Sequence, residues 1–172
     1  MNLRVEFASN DHLPAIADIY NDAVLHTTAI WNDAQVDVDN RRAWLAQRRG
    51  AGYPVLVALD ESHRVLGYAS FGDFRAFDGY RFSVENSVYV QRDARGRGVG
   101  HALMARLIDE ARHIRKHLMI AAIESGNQAS IRLHAQFGFV ECGRMEQVGT
   151  KFGRWLDLTW MQLRLDDAAP GT

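Results

Sequence analysis

A glycine-rich loop between an apolar strand and an amphipathic helix constrains this 172-residue chain more than any other feature. Residues 87–100 read Ser-Val-Tyr-Val-Gln-Arg-Asp-Ala-Arg-Gly-Arg-Gly-Val-Gly. Apolar residues at helical spacing follow them: Leu103, Met104, Leu107, Ile108 and Ala111. Glycine lets a backbone approach a ligand closely, and the start of a helix favours anions. Because Arg95 and Arg97 flank the glycines, the segment predicts a phosphate-binding loop.

Two phosphate-binding motifs fit this loop poorly. A Walker-type loop requires Gly-Lys-Ser/Thr, but His101 and Ala102 follow Gly100. A dinucleotide fingerprint requires a third glycine where His101 stands, although Glu124 is placed to act as its ribose-binding acid. The first motif is excluded and the second is disfavoured. A glycine turn with solvated arginines is the remaining structural alternative.

A second segment, residues 127–139, has the pattern of a capped helix. It reads Asn-Gln-Ala-Ser-Ile-Arg-Leu-His-Ala-Gln-Phe-Gly-Phe. Asn127 is a favourable N-cap, Gly138 is a favourable stop, and apolar residues recur at Ala129, Leu133 and Phe137. One apolar strand, residues 118–124, separates this segment from the glycine loop.

The two segments in this order resemble the cofactor-binding motifs of the GNAT acyltransferase superfamily. The stretches 19–24, 28–31, 85–90, 122–127 and 148–157 resemble its phosphinothricin / methionine sulfoximine N-acetyltransferase branch. This resemblance implies an α/β GNAT fold, with a central mixed, mostly antiparallel twisted sheet of about six to seven strands flanked by about four helices.

The resemblance also implies acetyl-CoA as cofactor. The residues that correspond to its binding motifs are Val88, Tyr89, Val90, Arg95, Gly96, Arg97, Gly98, Val99, Gly100, Asn127 and Ser130. Asn127 as a cap alone, and Ser130 as an ordinary first-turn residue, are the structural alternatives.

Glu85 and His134 are the catalytic candidates. Glu85 corresponds to the proposed catalytic carboxylate of the branch, and half-burial would raise its pKa and suit it to accept a proton. The alternative is a structural carboxylate paired with an arginine such as Arg81. His134 corresponds to a position near the leaving sulfur, where an imidazolium would protonate the thiolate. A packed histidine hydrogen-bonded to backbone is equally compatible with the sequence. A backbone N–H at Val90 or its neighbour is the expected oxyanion donor.

The substrate site is expected in loops beside the strand that carries Glu85. Arg75 is the candidate clamp for a carboxylate, which a guanidinium binds in a two-pronged manner. The candidate walls and polar contacts are Trp31, Phe74, Phe77, Tyr80, Thr150 and Lys151. Each also fits an ordinary surface or packing role. The predicted acceptor is a small α-amino acid or analogue: methionine sulfoximine, methionine sulfone or phosphinothricin. The resemblance further implies a homodimer whose partner helps to complete the pocket.

Composition limits the other classes of function. Lys and Arg total 20 against 21 Asp and Glu, which argues against nucleic-acid binding. No long apolar run predicts a membrane span, and the single Cys142 fits a reducing, cytoplasmic setting. His113 and His117 lack a third ligand, so no metal site is expected. The length fits one domain, 1–172, with a loose tail at 166–172.

Three other functions remain open from the sequence. They are acetylation of a different amine or a peptide N-terminus, acyl-CoA binding without catalysis, and nucleotide binding. The coarse pattern predicts strands at 3–7, 53–59, 65–74, 82–91, 118–124, 140–145 and 155–165. Helices are expected after a cap at Asn10 or Asp11, and at 39–49, with a loop at 26–36.

Overall fold

The structure, a computed structural model, describes residues 3–167. The expected tail lies outside this range for residues 168–172. The described part contains four α-helices: α1 (Leu13–His26), α2 (Val38–Gly50), α3 (Val99–His113) and α4 (Gln128–Gln136). Its strands are β1 (Arg4–Phe7), β2 (Val55–Leu59), β3 (Val65–Asp73), β4 (Ser83–Val90), β5 (Leu118–Glu124), β6 (Val140–Lys151) and β7 (Arg154–Arg164).

The strands form a seven-stranded sheet in the order β1-β2-β3-β4-β5-β7-β6. The pairs β1–β2, β2–β3, β5–β7 and β6–β7 are antiparallel. The β4–β5 pair is parallel, and its register runs from Ser83 with Leu118 to Glu85 with Ile120. The expected mixed, mostly antiparallel sheet with four flanking helices is confirmed.

The chain divides into two compact units. The first unit comprises the residues up to Phe71 together with Ser87–Leu107, and its core lies around β2 and β3. Every residue of β2 is buried, and a continuous apolar run of this kind is typical of a strand that is covered on both faces. Helix α1 contributes the buried side chains Leu13, Ile16, Ala17, Ile19, Ala23 and Val24.

The second unit comprises Gly72–Asn86 together with the residues from Ile108 onward. Seven residue pairs join β5 to β7, from Leu118 with Arg164 to Glu124 with Leu158. Its buried apolar side chains include Met119, Ala121, Ile123, Leu156, Met161 and Leu163. Strand β6 is exposed along almost its whole length.

Several predicted boundaries need correction. The N-cap of α1 is His12 rather than Asn10 or Asp11, because the 3₁₀ turn Asn10–His12, with Ser9 as its own N-cap, precedes the helix. The backbone N–H of Ser9 donates to His12 Nδ1 over 3.0 Å, and this hydrogen bond stabilises the turn that leads into α1. Helix α3 begins at Val99, so Gly100 lies inside its first turn.

Strand β6 also differs from its prediction, because it continues to Lys151 rather than ending near Met145. The pairing of β6 with β7 contains two register shifts, at Glu141/Gly143 and at Met145/Gly149, so the residues that were predicted to form a loop belong to the strand. Phe152 and Gly153 then make the turn, with φ of 51° and 69°. Positive φ at both central residues is typical of a tight hairpin turn.

The apolar stripe predicted for α4 does not form its buried face. Ala129 is exposed, and Leu133 and Phe137 are only half-buried. The buried residue of α4 is His134. Among residues 3–167, no helix has both the length and the hydropathy that crossing a membrane requires.

Candidate active site

Two glycines of the loop adopt a backbone conformation that was not predicted from the sequence. Gly96 and Gly98 adopt φ of 72° and 82°, a region that side chains disfavour. A Cβ at Gly98 would meet no other atom of the described chain within 4 Å. The glycine is therefore required by backbone conformation, and the space beside it is open to a ligand.

The loop leads directly into the N-terminal end of α3. In the first turn, the Ala102 N–H donates to the Gly98 carbonyl over 3.0 Å. The amides that precede Ala102 come before the start of the intrahelical ladder, where a helix attracts anions. This geometry fits a phosphate group, which is what the motif predicted.

Charged side chains around the loop pair with one another at the surface. Asp22 of α1 lies 3.5 Å from Arg92 and 4.0 Å from Arg95. The Arg95 Nε also donates to the Val90 carbonyl over 3.3 Å. Asp93 accepts from Arg64 over 2.6 Å, and this hydrogen bond lowers the Asp93 pKa. Exposed pairs of this kind are weak, so they leave the arginines able to bind an incoming anion.

Asn127 caps α4, as its position predicted. Its side-chain oxygen accepts from the Ser130 N–H over 3.2 Å. The Ser130 carbonyl in turn lies 2.8 Å from His134 Nδ1. The motif residues of this segment are therefore engaged with one another inside the second unit.

His134 is buried at 3% exposure, and both of its ring nitrogens have partners. Nδ1 faces the Ser130 carbonyl, which only accepts, so Nδ1 carries the proton. Nε2 lies 3.1 Å from Asn86 Oδ1. Burial lowers the His134 pKa, which favours the neutral ring.

A neutral ring protonated at Nδ1 needs a donor opposite Nε2. The Asn86 side chain supplies this donor once its Oδ1 and Nδ2 are exchanged, so that Nδ2 faces the ring; the exchange also gives the buried Asn86 Nδ2 the partner it lacks in the present orientation. The packed histidine that the sequence left as an alternative is the arrangement found. In this state Nε2 accepts a hydrogen bond and carries no proton to donate.

Glu85 lies half-buried on β4. Burial raises its pKa, and the nearby positive charge of Arg75 partly offsets that rise. The alternative pairing with Arg81 does not occur, because Arg81 donates to the Asp78 carbonyl and stacks on Phe82. Among the described residues, no cation lies within ion-pair distance of the Glu85 carboxylate. A carboxylate in this setting is suited to accept a proton.

Three of the predicted substrate residues lie together in the second unit. The Arg75 guanidinium stacks 4.2 Å from the Phe74 ring centroid and donates to the Phe74 carbonyl over 2.9 Å. Phe74 meets Tyr80 edge-on, with ring centroids 5.8 Å apart. Trp160 of β7 joins this group at 6.0 Å from Phe74. Sequence reasoning missed Trp160, whose only signal was an aromatic residue within a strand.

The other predicted substrate residues lie elsewhere. Phe77 is 78% exposed and does not join the aromatic group. Trp31 lies in the first unit, where its Nε1 donates to the Thr28 carbonyl over 2.8 Å. Thr150 lies exposed on β6 opposite Trp155. Lys151, expected in a loop, is 4% exposed on β6, with Nζ 5.0 Å from the Phe152 ring.

The fold and these motifs define the class of protein. Residues 16–139 match the Acetyltransferase (GNAT) family, so the chain belongs to this family and is an acetyltransferase. Escherichia coli (strain K12) L-amino acid N-acyltransferase MnaT is 60% identical over 165 residues, which cover 96% of this chain and 95% of that protein.

A second relative and a solved structure agree with this assignment. The L-methionine sulfoximine/L-methionine sulfone acetyltransferase of Salmonella typhimurium is 59% identical over 169 residues, or 98% of each chain. The structure of yncA, an acetyltransferase from Salmonella typhimurium with its cofactor acetyl-CoA, superposes with a TM-score of 0.97 at 57% identity, covering 100% of this chain and 99% of that one. The family resemblance stated from the motifs is confirmed.

Proposed function

We propose that this protein transfers the acetyl group of acetyl-CoA to the α-amino group of a small amino acid of the methionine sulfoximine and sulfone type. The support from comparison is the similarity to the Salmonella typhimurium relative over 98% of each chain. The observation that carries the chemistry is Glu85, a half-buried carboxylate with a raised pKa and no ion-pair partner among the described residues.

The residues of the glycine loop fit the pyrophosphate of acetyl-CoA. The open space beside Gly98 and the start of α3 accommodate an anion, and Arg95 adds charge at the surface. When bound, acetyl-CoA supplies a thioester that an amine attacks directly. Cys142 is therefore not needed as a nucleophile, and its Sγ donates instead to the Trp160 carbonyl over 3.5 Å.

Glu85 acts as the base in this proposal. An alkyl ammonium is protonated near neutral pH, so a group of the enzyme must accept a proton before the amine can attack. The raised pKa of Glu85 makes its carboxylate a better acceptor than an exposed one. His134 does not act as general acid while its Nε2 accepts from Asn86, and a coenzyme A thiolate is stable enough to leave without that help.

Arg75 and the aromatic side chains around it form the proposed acceptor pocket. The Arg75 guanidinium is exposed on one side and rests on Phe74, so it remains available to a substrate carboxylate. Tyr80 and Trp160 supply apolar surface for the side chain of the acceptor. Phosphinothricin carries an α-carboxylate and an α-amine like the acceptors named above. Its acetylation by this protein would confer resistance to that herbicide.

We also propose a homodimer in a reducing cytoplasm. Five large apolar side chains are exposed on the β6–β7 hairpin: Val140, Met145, Val148, Phe152 and Trp155. An apolar surface of this kind is typical of a protein interface. Thr150 and Lys151 lie on the same hairpin, and in the dimer they would be near the partner's pocket. Cys142 is a free, exposed thiol, which fits a reducing compartment.

The decisive experiment measures thiol release from acetyl-CoA with separate acceptors. We expect release with methionine sulfoximine, methionine sulfone and phosphinothricin, and little with a polyamine or a short peptide. Acetyl-CoA binding without release for any acceptor would favour a sensor, and release with the peptide alone would favour acetylation of protein N-termini.

The Glu85→Gln variant tests the proposed base. We expect kcat to fall about 10²–10⁴-fold, the usual contribution of a general base, while the affinity for acetyl-CoA stays unchanged. Glu61→Gln, an exposed carboxylate in the β2–β3 connection, is the matched control and should retain full activity. Wild-type turnover in Glu85→Gln would remove Glu85 from the mechanism.

A further inference from the structure

The first unit contains a cavity that the proposed chemistry leaves unused. Its volume is about 80 Å³. A single water needs roughly 10–15 Å³ on this measure, so the cavity has room for a small polar group together with part of an apolar body. Its lining includes Tyr20 of α1, Arg41 and Trp44 of α2, Tyr68 of β3, and Ser87 and Tyr89 of β4.

Arg41 is the unusual member of this lining. It is only 9% exposed, although arginine is rarely so buried without an ionic partner. Its guanidinium lies 4.5 Å from the Tyr20 ring centroid and 5.0 Å from that of Trp44. Both rings therefore contact the guanidinium at the wall of the cavity.

The partners of Arg41 are all neutral. Its Nε and Nη2 donate to Asn40 Oδ1 over 3.1 and 2.6 Å. Tyr68 is hydrogen-bonded to it, but burial raises the Tyr68 pKa, so this residue remains a neutral phenol. Within residues 3–167, no carboxylate lies within ion-pair distance of Arg41. Arg48, a second cation, lines the same cavity and also lies over the Trp44 ring. A buried cation without a negatively charged partner is costly, and an anion in the cavity would relieve that cost.

We propose that this cavity binds the carboxylate of a small amphipathic organic acid through Arg41. The Nε–Nη2 edge of the guanidinium donates to Asn40 Oδ1, so the edge formed by Nη1 and Nη2 is the one proposed to contact a carboxylate. Ser87 lines the same space. Trp44, Tyr20 and Tyr68 cover the apolar part of the ligand. The acid is either the acceptor amino acid, with Arg41 in place of Arg75 as the residue that binds its carboxylate, or a separate acid that does not react.

Binding is measured calorimetrically with CoA present, so that no acetyl transfer occurs. The probes are 4-(methylsulfonyl)butanoate and its uncharged carboxamide, which differ only in the carboxylate. We expect the wild-type protein to prefer the acid at least about tenfold, which corresponds to about 1.4 kcal/mol. The Arg41→Gln variant should lose this preference. Arg42→Gln should keep it, because Arg42 is the exposed neighbour that pairs with Asp39.

An unchanged preference in Arg41→Gln, or none in the wild type, would overturn the proposal. If Arg41→Gln does not fold, Arg41→Met replaces the cation with an apolar chain of similar length, and the same criterion applies. Thermal unfolding with each probe provides a second measurement, since a ligand that binds only the folded state raises Tm. The acid should raise the Tm of the wild type but not that of the variant.

Inhibition kinetics distinguish the two sources. If the butanoate competes with methionine sulfone and Arg41→Gln raises the KM for that acceptor, the cavity holds the acceptor carboxylate. Inhibition without competition, with an unchanged KM, identifies a separate acid. This inference does not rest on acetyl transfer. If the wild-type protein releases thiol but shows no preference for the acid, only the cavity proposal is refuted. If it prefers the acid but releases no thiol, only the proposed reaction is refuted.

Discussion

The two segments that resemble cofactor-binding motifs have opposite local environments. The glycine loop before α3 is exposed, its glycines adopt positive φ, and open space lies beside Gly98. In the segment that begins at Asn127, the motif residues are engaged internally, with Asn127 capping α4 and His134 packed against Asn86. The comparison teaches that residues of a binding motif can stabilise the local fold, whether or not they also contact a ligand.

Gly98→Val tests the loop most severely. A β-branched residue at φ of 82° is strained by about 1–3 kcal/mol, and its side chain occupies the open space. We expect acetyl-CoA affinity to fall about 10–100-fold or more while the circular dichroism spectrum is retained. Gly50→Val, at the end of α2 where φ is not positive, is the control and should bind normally. If Gly98→Val binds acetyl-CoA as tightly as the wild type, this loop is not the pyrophosphate-binding site.

The His134–Asn86 pair is the corresponding test in the second segment. Because burial lowers the His134 pKa in the folded state, the unfolded chain binds the extra proton first as pH falls. The pair therefore contributes stability above the unfolded pKa of about 6.5, and this stability is lost as pH falls through the lower folded value. We expect the free energy of unfolding, measured by urea denaturation, to fall less between pH 7 and pH 5 in His134→Gln than in the wild type.

Nitrogen NMR of His134 provides a direct readout of the same pair. The geometry predicts a neutral ring protonated at Nδ1 at pH 7. Asn86→Asp places a carboxylate beside Nε2 and should raise the His134 pKa, giving an imidazolium, whereas Asn86→Leu should not. A wild-type ring protonated at Nε2 would contradict this account and reopen the role of His134 as an acid.

Asn127→Ala should have the smallest effect. Loss of an N-cap costs about 0.5–2 kcal/mol, which urea unfolding would measure. Asn127→Asp keeps the capping oxygen and should retain most of the stability. If acetyl-CoA affinity in both variants matches that of the wild type, Asn127 is a scaffold residue. A loss of affinity in Asn127→Asp, despite an intact cap, would make it a cofactor ligand as well.

Local patterns in the sequence predicted much of this protein. Strand β5 occupies the predicted range 118–124, and α4 has the predicted cap at Asn127. The positive φ of Gly96 and Gly98 was not predicted, but it belongs to a turn that only glycine adopts easily. These features depend on interactions between residues close in the chain, which a sequence pattern records directly.

The predictions from sequence were wrong or incomplete where a feature depends on contacts between residues that are distant in the chain. Strand β6 reaches Lys151 because β7 pairs with it across two register shifts, which no local pattern indicates. His134 is buried while the apolar Ala129 is exposed, because Asn86 satisfies the imidazole from another element. Trp160 joins Phe74 only through the packing of the second unit.

The sequence by itself determined the family, the glycine loop and the candidate base, because each depends on residue types at fixed spacing. Only the tertiary structure determined the state of each group. It removed Arg81 as a partner of Glu85, placed His134 Nδ1 against the Ser130 carbonyl, and buried Arg41 with a neutral hydrogen-bond partner, Asn40. The physical reason is that burial, pKa and pairing depend on atoms brought together from distant parts of the chain.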